Sequence, residues 1–241
     1  MAVAIRGSGS GGSTGTGNLA VVSSSAPVAG DHIYLIVTIN NSSSGSHPTP
    51  ASTGFSSLGS STASVWSRTT LLGKIATGSE GTSFTISGFA GSDSKFAVVL
   101  VLSGASAGLT SNVVTTPDAS SNTTHSIAAI TTAAANSMDI VAVGYGGNND
   151  YGAPGAFGTW GTSFVELIDN GADSGGGFYY AGLGVATVIR ASAGAQAATS
   201  VVSEAADVNS CIRFEVQEAG GGAATSLLLP SFRMPMSIIA R

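Results

Sequence analysis

A chain of 241 residues has room for about two domains of ordinary size and can bury a core without disulfides or metals. Eight Lys plus Arg against thirteen Asp plus Glu give a net charge of −5, which argues against nucleic-acid binding, since that needs clustered cations. Charged residues are only 9% of the chain and Gly numbers 34, so solubility rests on Ser and Thr hydroxyls, a composition that suits strands and turns. So few charges also give weak self-repulsion, and self-association is expected.

The first six residues lack the basic start and apolar run of a secretory signal, which points to a protein made and kept in a cytoplasm. Residues 1–17 then read as a flexible N-terminal arm or a segment ordered by its neighbours, because the Gly/Ser/Thr tract at 7–17 buries too little apolar area to order itself alone. A first half is expected over residues 18–108. Its strands are a short one at 18–22, a run rich in β-branched residues at 32–39, and others at 69–76, 82–87 and 95–102. A polar loop with Pro48 and Pro50, then a region with Phe55 and Trp66, separates the second strand from the third.

The same order recurs over residues 109–218. A strand at 126–131 answers the first, 139–145 stands about 107 positions after 33–39, 184–190 answers 71–76, 198–202 answers 82–86, and 210–216 answers 96–102. Each half also carries one Trp, Trp66 and Trp160, read as core anchors. The expected fold is therefore all-β, with two similar antiparallel β-sandwich, jelly-roll-like halves from an internal duplication.

Residues 219–241 form a Gly linker and an apolar tail broken by Pro230 and Pro235. Its Leu227, Leu228, Leu229, Phe232, Met234, Met236, Ile238 and Ile239 are expected to dock on a neighbouring subunit or on the chain's own body. No apolar run approaches the roughly 18 residues of a membrane-spanning helix.

No catalytic set or cofactor site stands out. Gly7 to Gly12 spells G-x-G-x-x-G without the preceding strand and following helix that bind a pyrophosphate. The G-x-S-x-G patterns around Ser13 and Ser106 lack the strand-to-helix turn of a nucleophile elbow. The three histidines, His32, His47 and His125, are not paired at metal-binding spacing, and Cys211, the only cysteine, reads as a small core hydrophobe. A Ser/His/Asp set drawn from Asp31, Asp118 or Asp169 has no support without geometry. The polar loop containing Asn148, Asn149, Asp150 and Tyr151 has the chemistry of a sugar-contacting or calcium-binding loop, and equally of an ordinary hairpin loop. Asp169 and Asp173 add only a pair of carboxylates in another Gly-rich loop.

The succession of residues 29–37, a Trp region, then 73–76, 81–86 and 96–100 resembles the duplicated β-sandwich modules of bacteriophage minor tail, spike and head-fibre proteins. The likeness spans residues 26–217 in two copies, and related patterns occur in bacterial surface and extracellular proteins. It implies a non-enzymatic virion building block, assembled in the host cytoplasm, that is usually oligomeric and sometimes contacts the host. Its expected partners are further copies, other virion proteins and host-surface glycan. The alternative is a carbohydrate-binding or adhesion module. The second half departs from the pattern, since residues 136–139 replace the Gly30-Asp31 turn and 184–190 lacks a lysine.

Overall fold

The computed structural model describes residues 2–41, 47–64, 66–90, 94–147, 157–161, 163–173 and 180–220. Within them the chain is all-β, with no helix. The strands are β1 (Ala4–Thr14), β2 (Leu19–Val22), β3 (His32–Asn40), β4 (Ser56–Ala63), β5 (Ser67–Ile75), β6 (Ser83–Ile86), β7 (Ser94–Ser103) and β8 (Val113–Ile127). They continue with β9 (Ile130–Thr132), β10 (Ser137–Gly147), β11 (Phe157–Trp160), β12 (Val165–Asp173), β13 (Tyr180–Arg190), β14 (Gly194–Gln196) and β15 (Thr199–Val216).

All strand pairings are antiparallel. One large sheet has the order β1-β7-β3-β5-β4 and the other runs β8-β15-β10-β13-β12, with β11 also pairing to β15. Two small sheets, β2-β6 and β9-β14, complete the set. The buried strands β3, β7 and β10 are continuous apolar runs, as expected where both faces are covered.

The period-2 alternation of side chains divides each buried strand between two cores. Tyr34 and Ile36 of β3, Val98 and Leu100 of β7, Ile140 of β10, Leu183 of β13, and Ile212 and Phe214 of β15 belong to one cluster shared by the two large sheets. Tyr34 and Phe214 meet across it with ring centroids 5.1 Å apart. The opposite side chains of β3, Ile33, Leu35, Val37 and Ile39, form a second cluster with Leu19 and Val21 of β2 and Phe84 and Ile86 of β6.

Hydroxyls take over at one end of the shared interface. Thr38 Oγ1 lies 2.9 Å from Thr69 Oγ1, Ser210 Oγ lies 2.7 Å from the hydroxyls of both Thr69 and Ser67, and Ser67 also donates to the Gly144 carbonyl at 3.2 Å. Gly144 admits this chain, since a Cβ there would stand 1.9 Å from Thr69 Oγ1. Buried hydroxyls so linked avoid the desolvation cost of orphaned ones.

Three sequence expectations narrow or change. Of the two readings of residues 1–17, flexible arm or segment ordered by neighbours, the second holds, since the tract contains β1, paired with β7 with one register shift between Ile5 and Gly7. Its alternate glycines are the reason: a Cβ at Gly9 would lie 1.9 Å from the Val22 carbonyl oxygen, one at Gly11 2.9 Å from that of Ala20, and one at Gly7 2.7 Å from Ser23 Oγ. Bare positions on one face thus let residues 20–23 lie directly on the strand. Second, residues 126–131 are not one strand, because the chain leaves β8 before entering β9. Third, residues 199–202, expected to answer β6, belong to β15, whereas the strand that pairs with a short neighbour as β6 pairs with β2 is β14, on β9.

Candidate ligand-binding cavity

On the far face of the second large sheet, β10, β13 and β15 place Asp139, Arg190, Arg213 and Glu215 on one side, because Ser137 pairs with Arg190, Asp139 with Glu215 and Val141 with Arg213. Asp139 is fully buried and holds two cations. Arg213 donates from Nε to Oδ1 at 3.0 Å and from Nη2 to Oδ2 at 2.7 Å, and Arg190 donates from Nε and Nη2 to Oδ2 at 3.0 and 2.7 Å. Arg213, only 1% exposed, also donates from Nη1 to the carbonyls of Ala128 and Ala197 at 3.0 and 2.8 Å. Glu215 accepts from the amides of Ala133 and Ala134 and from Asn112 Nδ2. Charges removed from water in this way are tolerated because the Asp139 and arginine charges are paired and Glu215 is held by amide hydrogen bonds.

Beside this network lies a cavity of about 470 Å³, lined by Ser126, Gly161, Phe164, Arg190, Ala197, Ala198, Thr199 and Ser200. The guanidinium of Arg190 sits over the Phe164 ring, 5.1 Å from its centroid, with that of Arg213 at 5.7 Å. Stacking on the ring and the two bonds to Asp139 fix the guanidinium plane. The strand register puts Ser200 opposite Ser126 across β15 and β8, and Thr199 Oγ1 rests against Gly161, where a Cβ would approach to 1.9 Å. The cavity is therefore lined by one fixed cation, three hydroxyl-bearing residues, two small alanines and an aromatic residue.

Further along this face His125 Nε2 lies 2.8 Å from Ser203 Oγ and 3.2 Å from Asn209 Nδ2. His125 Nδ1 is buried with no hydrogen-bond partner among the described residues, so within them the Ser–His pair lacks the orienting carboxylate of a catalytic triad. Burial lowers the imidazole pKa to about 4, against a smaller upward pull from Asp118. Asp207 is pushed the other way by burial, to about 6, although the Val208 amide bonds its carboxylate. Cys211 lies in the same apolar cluster as Val141, Val143 and Phe157, and burial pushes its thiol up to about 12.

The remaining sequence candidates are dispersed. His32 bonds the Ser106 carbonyl at 2.8 Å and the Tyr34 hydroxyl at 3.2 Å beside a cavity of about 230 Å³, and Ser106 Oγ turns to the Gly108 carbonyl at 3.3 Å. No serine hydroxyl contacts that imidazole among the described residues. His47 bonds the Ser64 carbonyl, Asp31 pairs with Arg6, Asp118 accepts from Asn122 and the Ser120 amide, and Asp169 accepts from the Phe157 amide. Asp173 ends β12. Trp66 lies in the turn before β5, while Trp160 is in β11, stacked 6.0 Å from Phe157 and donating to Glu166 at 2.7 Å. The loop residues Asn148, Asn149, Asp150 and Tyr151 lie outside the described residues, as do the tail residues Leu227, Leu228, Leu229, Phe232, Met234, Met236, Ile238 and Ile239.

The residues that build the cavity were not singled out from sequence. A readable signal existed: Arg213 and Glu215 alternate with Ile212, Phe214 and Val216 in a strand buried on both faces, which requires internal partners. Comparison with known proteins returns no match, whether to a family model, a curated protein or a solved structure.

Proposed function

We propose that this protein is a non-enzymatic structural subunit of a bacteriophage particle, a spike, fibre or tail-associated component built as a duplicated, jelly-roll-like β-sandwich. The observation that carries this reading is the repetition of one strand order. Strands β1-β7-β3-β5-β4 and β8-β15-β10-β13-β12 follow the same succession along the chain, and the two sheets bury one core between them. A chain that joins two such sheets back to back is a preassembled, rigid block. The resemblance of residues 26–217 to virion modules supports the same reading. Residues 219–241 are assigned as a docking tail for a second copy or another virion protein.

Light scattering on the purified chain, with and without residues 219–241, tests this. A defined oligomer that dissociates on truncation is the expected result; a monomer in both forms sinks the subunit reading. A second reading, attachment to host-surface glycan, is favoured by the hydroxyl-lined cavity beside Arg190.

A further inference from the structure

The wall composition points to more than a general sugar site. We infer that the cavity at Arg190 binds a carboxylate-bearing sugar, with Arg190 Nη1 donating to the carboxylate and Ser126, Thr199 and Ser200 meeting the ring hydroxyls. This rests on the glycan-attachment reading and narrows it to acidic sugars.

The cation is ready for a ligand because its other contacts are already made. Nε and Nη2 of Arg190 are held on Asp139, its plane lies over Phe164, and Nη1 has no hydrogen bond to the described residues. Nearby acids do not compete for it: Asp139 is shared with Arg213, both oxygens of Glu215 are taken by the Ala133 and Ala134 amides and Asn112, and Glu166 accepts from Trp160. A carboxylate reaching Nη1 forms a charge-assisted bond to a group that need not be ordered first.

Size and lining select the rest of the ligand. A cavity of about 470 Å³ falls within the range of small-molecule sites and holds a sugar of one or two rings. The hydroxyls of Ser126, Thr199 and Ser200 both donate and accept, which matches a polyhydroxylated ring, while Ala197, Ala198 and Phe164 offer apolar surface to its C–H faces. A plain inorganic anion would leave that polar wall unused.

The test is calorimetric titration of the full chain with methyl glucuronoside and, separately, methyl glucoside, repeated on Arg190→Gln and on the double variant Ser126→Ala/Ser200→Ala, each checked for native circular dichroism. Expected are at least tenfold tighter binding of the glucuronoside than the glucoside, a loss of tenfold or more in Arg190→Gln for the glucuronoside alone, and a several-fold loss for both sugars in the double variant. Should Arg190→Gln unfold, the double variant and the glucuronoside-to-glucoside ratio still decide the matter. Equal affinity for the two sugars overturns the acidic-sugar assignment and leaves glycan attachment standing. No binding of either sugar overturns both, and leaves the oligomer result untouched.

Discussion

The outward faces of the two large sheets are covered in opposite ways. In the first, Ile33, Leu35, Val37 and Ile39 are capped by Leu19, Val21, Phe84 and Ile86 from β2 and β6, and its cations have separate partners: Lys95 has Nζ on the Thr14 and Gly15 carbonyls and 4.8 Å from the Phe89 ring centroid, Lys74, opposite Ile33, pairs with Glu80, and Arg68, opposite Ile39, donates to the His47 and Pro48 carbonyls. In the second, the positions that follow the same strand order hold Asp139, Arg190, Arg213 and Glu215, the cover is a short β9-β14 pair, and a cavity opens beside it. An apolar cover is non-directional and fills space. A charged one fixes a few side chains in set orientations, which is what a recognition site needs. The same arrangement of strands thus carries an apolar cover on one side and a charged network with an adjoining cavity on the other.

The difference predicts two kinds of damage. Asp139→Ala leaves two guanidiniums facing each other without a counterion and is expected to lower stability by about 3–5 kcal/mol, read from urea midpoints. Arg213→Met introduced into that variant should recover part of the loss, because the stranded charge is removed along with its partner. Leu35→Ala in the first face is expected to cost about 2–5 kcal/mol through its cavity alone, with no second-site charge change able to restore it. If Arg213→Met gives no recovery in the Asp139→Ala background, the second face is held by packing like the first.

The second sheet also carries two buried titratable groups whose shifts oppose each other. Asp207 keeps its proton up to about pH 6 when folded and releases it near 4 when unfolded, so between these values the folded state binds more protons and stability falls as pH rises. His125 sheds its proton at about 4 when folded and near 6.5 when unfolded, so over that range the unfolded state binds more and stability rises with pH. The two slopes oppose each other between about pH 4 and 6, each on the order of 1–3 kcal/mol. Asp207→Asn should therefore make the protein clearly more stable at pH 6 than at pH 4.5, and His125→Gln should reverse that preference. Identical urea midpoints at the two pH values in both variants would show that neither group titrates as its burial dictates.

How far the sequence carried depended on the driving force behind each element. Strands β3, β7 and β10 were legible because β-branched and apolar runs leave little alternative. Strand β4, whose residues are mostly Ser with Gly, lacks strand formers and is held by its pairing to β5. Strand β1 was hidden because glycine usually signals flexibility; its alternation becomes meaningful only once residues 20–23 are seen lying against it. The cavity was illegible for a related reason. Ser126, Phe164 and Ser200 come from segments far apart in sequence, and the pairing of β8 with β15 sets Ser126 opposite Ser200.

The smallest expected effect concerns an ion pair in the first half that, like Arg190, borders a cavity. Lys74 Nζ lies 2.8 Å from Glu80 Oε1 at the edge of a cavity of about 210 Å³ lined also by Phe55 and Phe84. The lysine side chain is 24% exposed, and Glu80 already accepts from the amides of Thr77 and Gly78. Removing the cation leaves the Glu80 carboxylate, 9% exposed, with the turn amides and the Thr77 hydroxyl as its partners. Lys74→Met is expected to change stability by about 1 kcal/mol, less than Asp139→Ala, because the Thr77 and Gly78 amides and the Thr77 hydroxyl still bond the carboxylate that remains. A loss as large as that of Asp139→Ala would mean the first face is organised around its charge as well, and the contrast between the two faces would not hold.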